Sequence, residues 1–189
     1  MKRGADDLEW VEMETAQVEA LYQERVTKDF PEAERRPLER ILSFRQQGFY
    51  RCFLLCQGES WLGYAFCAQG EPESIALLDY YAMRPGLRGQ GYGAKGLKLL
   101  ADRYPAGLLA EVESPATATG EEERRERCRR VAFYQRCGMV HSGIRCLLFG
   151  VTYDILWLPG DSSRQPGPLL DKIYRKVLPG ALWDHLRYL

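Results

Sequence analysis

The sequence is poor in the residues that many catalytic centres are built on. Its only two histidines, His141 and His185, are far apart and lack ligand spacing. That argues against a zinc site and against a Ser-His-Asp or Cys-His nucleophile machine. None of the six cysteines forms a Cys-x-x-Cys pair, and Cys52, Cys56 and Cys67 fall in apolar, strand-like runs. A reduced and mostly buried set is expected, not a disulfide framework. Net charge is also missing, because 26 basic residues balance 26 acidic ones. Nothing therefore advertises a nucleic-acid or anionic-membrane surface, and any ligand must be held by a local site. No apolar stretch approaches the roughly 20 residues that span a bilayer, and no charged start leads into a long apolar run. A soluble, cytoplasmic protein without metal, membrane or nucleic-acid partner is expected. No internal repeat is visible. At 189 residues the chain suits one domain over 1–158, with a linker and helical tail over 159–189.

What the chain does have is glycine, gathered in Arg84-Pro85-Gly86-Leu87-Arg88-Gly89-Gln90-Gly91-Tyr92-Gly93-Ala94-Lys95-Gly96. The apolar run Ile75 to Met83 before it reads as a buried strand, and Leu97 to Ala101 after it reads as a helix. Glycines permit positive φ and close approach, and the free N–H groups of a first helical turn favour an anion, above all a phosphate. A Walker loop would need Lys-Ser or Lys-Thr after its last glycine, and Tyr92-Gly93 stands there instead. A dinucleotide fingerprint matches Gly91, Gly93 and Gly96, with Glu111 about 20 residues on. A third pattern, Arg-x-x-Gly-x-Gly, is filled by Arg88, Gly91 and Gly93.

This last pattern resembles the pyrophosphate loop of the GCN5-related N-acetyltransferase (GNAT) superfamily. A second element agrees: Val131-Ala132-Phe133-Tyr134-Gln135-Arg136-Cys137-Gly138-Met139 is similar to that family's Phe-Tyr-x-x-x-Gly-Phe signature. The neighbourhood also favours it over a dinucleotide loop, since Pro85 to Arg88 intervenes after the strand and the preceding segments look like antiparallel hairpins.

Along the chain, Leu8 to Met13 alternates as a strand, and Glu14 to Lys28 has Val18, Leu21, Tyr22 and Val26 at helical spacing. Asp29-Phe30-Pro31 breaks this helix, and Pro37 opens the next, with Leu38, Ile41, Leu42 and Phe44 inward. Phe49 to Gln57 and Trp61 to Ala68 read as a hairpin, and Gly70-Glu71-Pro72-Glu73 turns into the central strand. After the loop a helix is expected to about Tyr104, then a strand over Leu108 to Glu113 joined by a parallel crossover. Thr119-Gly120-Glu121-Glu122 has capping-box spacing for a helix to about Arg136, which Gly138 caps. Gly143 to Phe149 and Val151 to Leu158 form a last hairpin about Gly150. A Gly, Ser, Gln and Pro linker follows from Pro159, then an amphipathic helix, Leu169 to Leu178, expected to pack back on the domain, and a short Trp183 to Leu189 tail.

The resemblance implies an α/β (α+β) fold: a mixed, mostly antiparallel sheet splayed between strands 4 and 5, flanked by helices, with a C-terminal helical extension. It implies acetyl-CoA as cosubstrate, with Arg88, Gly89, Gln90, Gly91, Tyr92 and Gly93 on its pyrophosphate. Ala82 and Met83 would bond its pantetheine arm, and Arg129 or Arg130 its ribose phosphate. Tyr134 would protonate the departing thiolate. A protonated amine needs a base, and Glu111 and Glu113 share one strand face, with Asp79 a third candidate. Tyr22, Phe30 and Phe49 are candidates to line the acceptor cleft. The bland reading of the charged Glu121 to Arg130 segment is a solvated face laced with ion pairs.

Two departures from the family stand out. The chain contains no asparagine, and Arg127 stands where the family often carries one to bond the pantetheine. Met139 replaces the usual phenylalanine. Within the superfamily the chain resembles a bacterial subgroup; a small-molecule or peptide amine is expected as acceptor, and a monomer or homodimer as assembly. A non-catalytic acetyl-CoA-binding module and a NAD-binding oxidoreductase are the alternatives.

Overall fold

The computed structural model describes residues 7–70, 74–160 and 164–189. Glu71, Pro72 and Glu73 of the expected turn, and residues 161–163 of the expected linker, lie outside the described residues. The chain divides into two compact units, Met1–Ala68 with Leu78–Arg103 and Gln69–Leu77 with Tyr104–Leu189.

In the first unit, strand β1 (Leu8–Glu12) pairs antiparallel with β2 (Tyr50–Gln57), and β2 with β3 (Ser60–Gln69). Strand β4 (Ile75–Met83) comes next in the order and contributes its second half here. The Arg84 N–H bonds the Leu62 carbonyl at 2.8 Å, so the end of β4 lies by the start of β3, as a hairpin requires. β3 is buried almost throughout. That explains why it reads as a continuous apolar run and not as an alternation.

Helix α1 (Thr15–Leu21) starts from a reciprocal capping box between Glu14 and Gln17. It continues through a π-helical turn, Tyr22–Val26, into α2 (Thr27–Asp29), and extended Phe30 before Pro31 ends it. The extra residue in that turn lets Tyr22 and Val26 both bury. Helix α3 (Leu38–Gln46) buries Ile41 and Phe44, with Pro37 at its N-cap. Helix α4 (Tyr92–Arg103) buries Gly96, Leu97 and Leu100.

In the second unit, the opening of β4 runs parallel to β5 (Gly107–Glu113), and Ala106 N–H bonds the Ser74 carbonyl at 3.0 Å. β5 pairs antiparallel with β7 (Val151–Pro159), from Gly107 opposite Pro159 to Glu113 opposite Tyr153. β7 pairs with β6 (Val140–Leu148), and β6 with β8 (Leu186–Tyr188). The fold class is therefore the expected one: a mixed, mostly antiparallel sheet with flanking helices.

Three local expectations need correction. Helix α5 (Glu121–Arg136) takes Gly120, not Thr119, as its N-cap. The acid that reaches back is Glu123, whose Oε2 accepts from the Thr119 N–H at 2.7 Å and the Thr119 hydroxyl at 2.8 Å. β6 begins at Val140, before the expected Gly143, because a bulge is absorbed where the Ser142 hydroxyl bonds the Ile155 carbonyl at 2.7 Å. The tail, expected to be helical, ends otherwise: Gly180–His185 is a 3-10 turn and Leu186–Tyr188 a strand. Helix α6 (Pro166–Val177) buries Leu169, Leu170, Ile173, Tyr174 and Val177 within this unit, as its amphipathic pattern predicts.

All six cysteines are free. Burial pushes the Cys52 and Cys146 thiols up to about 12, so neither supplies a thiolate near neutrality. Among the described residues no helix is long and apolar enough to cross a membrane.

Candidate functional site

The first unit holds the glycine loop. Gly86, Gly89 and Gly91 adopt φ of +85°, +80° and +84°. A Cβ at any of the three would meet nothing within 4 Å. Backbone conformation, not crowding, therefore demands glycine there, and the space over the loop is open. The Gln90 amide ties the loop across its base, bonding the Gly86 carbonyl at 2.7 Å. Lys95 N–H to Gly91 O, at 3.2 Å, is the bond that opens the α4 ladder. The N–H groups of Tyr92, Gly93 and Ala94 precede that ladder, at the end of the helix suited to an anion.

Two aromatic side chains that sequence reasoning did not single out fix this helix start. The Tyr81 hydroxyl donates to the Gly93 carbonyl at 2.5 Å, and the Trp10 indole to the Gly96 carbonyl at 2.9 Å. A Cβ on Gly96 would lie 2.8 Å from the Tyr81 oxygen and 3.1 Å from the Trp10 ring. The last glycine of the run thus lets the helix settle on those rings. Because antiparallel strands lead up to the loop, the dinucleotide reading of the same glycines fails on topology. Arg88, with 67% of its side chain exposed, stands beside the loop at 3.5 Å from buried Asp29. Asp29 is already engaged by Arg25 at 2.6 Å and the Tyr64 hydroxyl at 2.9 Å.

Ala82 and Met83 end the strand that feeds the loop. Opposite them Gly63 has no room for a side chain: its Cβ would lie 2.7 Å from the Ala82 carbonyl and 2.3 Å from the Met83 methyl. Gly63→Ala is expected to cost about 1–3 kcal/mol through overpacking, read from denaturant midpoints at unchanged slope. A neutral result would show that Met83 moves aside freely.

Asp79 is nearly buried, paired with Arg36 at 2.8 Å and accepting the Tyr50 hydroxyl. Burial, and then the Asp79 charge, raises Tyr50 well above its usual value, so that hydroxyl keeps its proton. Tyr22 bonds the Arg36 carbonyl, and the Arg36 N–H bonds the Tyr80 oxygen, each at 2.6 Å. Phe30 packs edge-on against Tyr80 and Phe49 against Phe44.

The second unit holds the other candidates. Glu111 and Glu113 flank buried Val112 on β5. Glu113 is gripped by Arg127 at 2.7 Å and Arg130 at 3.1 Å. Arg127, itself buried, also reaches Glu123 at 2.6 Å, the Ser114 carbonyl at 2.9 Å and the Thr117 hydroxyl at 3.1 Å. The residue in the place of the family's asparagine therefore knits β5 to α5. Arg129 pairs with Glu126 at 3.8 Å and Arg125 with Glu121 at 3.6 Å, the solvated, ion-paired face that the charge pattern predicts. Glu111 accepts a 2.6 Å bond from the Tyr174 hydroxyl on α6, a partner that sequence reasoning missed.

Tyr134 is 7% exposed, its ring against Phe133. Its carbonyl takes the N–H of Cys137 and of Met139, each at 3.1 Å, which closes α5 just before Gly138 at φ +94°. The structure thus brings Ala82, Met83 and the loop together in one unit, and Glu111, Glu113 and Tyr134 in the other.

A sequence model described as Acetyltransferase (GNAT) family matches residues 15–139. A search of curated protein sequences gives no match. Among solved structures, an acetyltransferase of the GNAT family from Bacteroides thetaiotaomicron aligns at TM-score 0.69 with 19% identity, covering 89% of this chain and 96% of its own. The ribosomal-protein-S18-alanine N-acetyltransferase from Escherichia coli aligns at TM-score 0.59 with 21% identity, over 85% of this chain and 98% of its own. A Bacillus subtilis acetyltransferase in complex with CoA aligns at 0.51 with 13% identity, over 80% and 97%. At these identities the structures speak for the fold.

Proposed function

The chain belongs to the GNAT acetyltransferase family, whose model covers residues 15–139, and from that premise we propose an N-acetyltransferase that moves the acetyl group of acetyl-CoA to a primary amine. The observation that carries this reading is the loop: three glycines held at positive φ under open space, ahead of the unladdered amides of α4. Arg88, Gly89, Gln90, Gly91, Tyr92 and Gly93 hold the pyrophosphate, and Ala82 and Met83 offer backbone groups to the pantetheine arm as a neighbouring strand would.

A lysine-like amine, with a free pKa of about 10.4, arrives protonated at neutral pH, so a carboxylate takes its proton, directly or through water. Glu111 and Glu113 are the two candidate acids: Glu113 is gripped by two guanidiniums, and Glu111 accepts a bond from the Tyr174 hydroxyl. The freed nitrogen attacks the thioester carbon, the carbon–sulfur bond breaks, and the Tyr134 hydroxyl gives its proton to the sulfur. The acceptor is a small-molecule or peptide amine. The enzyme works in the bacterial cytoplasm as a monomer or homodimer.

Calorimetric titration tests the reading. Acetyl-CoA is expected to bind with micromolar affinity while NAD, titrated in parallel, gives no heat. Binding of NAD alone, or of neither, would overturn it. A positive result leads directly to a screen of amines from polyamines to peptide N-termini, the last suggested by the Escherichia coli relative.

A further inference from the structure

Strand β1 lies before the segment that the family model matches, yet it reaches the helix that opens from the glycine loop. We propose that Trp10 on β1 and Tyr81 on β4 are positioning residues for the coenzyme pyrophosphate: through the Gly96 and Gly93 carbonyls they aim the free amides of the first turn of α4. The inference rests on the acetyl-transfer reading, with the glycine loop as the pyrophosphate site.

The peptide group carries the effect. A carbonyl and the N–H of the next residue belong to one rigid plane, so fixing the oxygen also fixes the direction of the N–H. The Tyr81 hydroxyl holds the Gly93 oxygen at 2.5 Å, and the N–H in that plane is that of Ala94, the last amide before the α4 ladder opens. Ala94 is exposed, so an anion over the loop can reach it. A hydrogen bond accepted by the carbonyl also polarises its peptide group, which makes the N–H a stronger donor. The Trp10 indole holds the Gly96 oxygen at 2.9 Å, nearly one turn further along.

Composition explains why this turn needs holding. Gly93 and Gly96 both fall in the opening turns of α4, and glycine is a weak helix former because its backbone loses the most freedom. The missing side chain at Gly96 is also what admits the donors: a Cβ there would lie 2.8 Å from the Tyr81 oxygen, 3.0 Å from Leu55 and 3.1 Å from the Trp10 ring. The rings are themselves braced, Trp10 against Tyr81 at 6.1 Å and against Phe53 at 6.5 Å between centroids. Phe53 in turn carries the Arg103 guanidinium, from the far end of α4, at 4.6 Å. One aromatic group therefore seats both ends of the helix, and with them the amides that face the anion.

The test uses the full chain, nitrogen-15 labelled, and calorimetric titration with acetyl-CoA. Tyr81→Phe removes one oxygen, and benzothienylalanine at position 10 replaces the indole N–H by sulfur at nearly the same shape. Each is expected to weaken acetyl-CoA binding about tenfold, in keeping with the loss of one well-made hydrogen bond. In the free protein the amide nitrogen resonance of Ala94 should move in the first variant, and that of Leu97 in the second. Should Tyr81→Phe not fold, fluorotyrosine at position 81, a stronger donor of nearly the same shape, is expected to tighten binding instead. Affinity unmoved in a folded variant, even with a lowered denaturation midpoint, marks a packing residue and overturns the role of the side chain changed. Wild-type protein that binds no acetyl-CoA overturns the acetyl-transfer reading and the inference with it.

Discussion

Gly91→Glu is expected to weaken acetyl-CoA binding by at least about 100-fold while the protein still folds. Two effects act, one on the shape of the loop and one on the bound anion. Gly91 holds φ at +84°, a conformation that costs an L-residue about 1–2 kcal/mol. The new carboxylate would also project into open space over the loop, since nothing lies within 4 Å of its Cβ position. An anion about 4 Å from a phosphate charge meets about 4 kcal/mol of repulsion at the effective dielectric of a protein surface. The repulsion alone exceeds the 2.7 kcal/mol or so that correspond to 100-fold. Gly91→Ala separates the two, because it keeps the backbone strain and lacks the charge; it should fall between wild type and Gly91→Glu in calorimetric titrations. Far-ultraviolet circular dichroism reports whether each variant folds. Micromolar binding by a folded Gly91→Glu protein would remove the loop from the coenzyme site.

Tyr134→Phe is expected to lower kcat by about 100-fold or more at nearly constant affinity for acetyl-CoA. General acid catalysis typically supplies 10²–10⁴-fold, and here a single oxygen would be lost. The substitution is conservative toward the fold. The ring is 7% exposed and packs on Phe133, and the hydrogen bonds that close α5 are accepted by the Tyr134 carbonyl, which phenylalanine retains. Thiol release at saturating acetyl-CoA, with an amine found by screening, measures turnover, and calorimetry measures affinity. A fall in kcat with unchanged affinity assigns the hydroxyl to a step after binding. Equal turnover in both proteins would leave Tyr134 a packing residue.

What could be read from the sequence was whatever a residue type dictates locally. Gly86, Gly89, Gly91 and Gly138 all announce positive φ, and each has it. The apolar runs of β2, β3, β4 and β5 are long enough to declare themselves, and the charged half of α5 is solvated as its composition requires. The failures occur where a partner comes from elsewhere in the chain. Thr119 looks like a helix cap, but Gly120 takes that position and Glu123 rather than Glu122 bonds back, a one-residue slip that spacing alone does not resolve. Ser142 hides a bulge because its hydroxyl bonds a carbonyl on the facing strand. Arg127 stands out in the sequence only for taking the place of an asparagine, and only the folded chain shows that it joins Glu113, Glu123, Ser114 and Thr117. Tyr174 stands 63 positions from Glu111, and no local pattern links the two. Trp10 and Tyr81 look like ordinary strand aromatics, yet their polar tips grip the carbonyls of α4.

Strand β8 has a consequence for how the protein behaves in a crowded solution. β6 would otherwise present a row of unpaired amides and carbonyls, a template on which another extended chain could grow. Leu186, Arg187 and Tyr188 occupy part of that row, pairing with Leu148, Leu147 and Cys146, and Leu189 N–H adds a bond to the Arg145 carbonyl at 2.9 Å. The shield is itself too short to invite a further strand, and Arg187 on it is charged and exposed. Its docking is held from the side, where His185 stacks on Phe149 at 4.8 Å and Arg175 lies over Trp183 at 4.5 Å. These few residues, remote in sequence from the glycine loop, cover part of an edge on which another strand could otherwise pair.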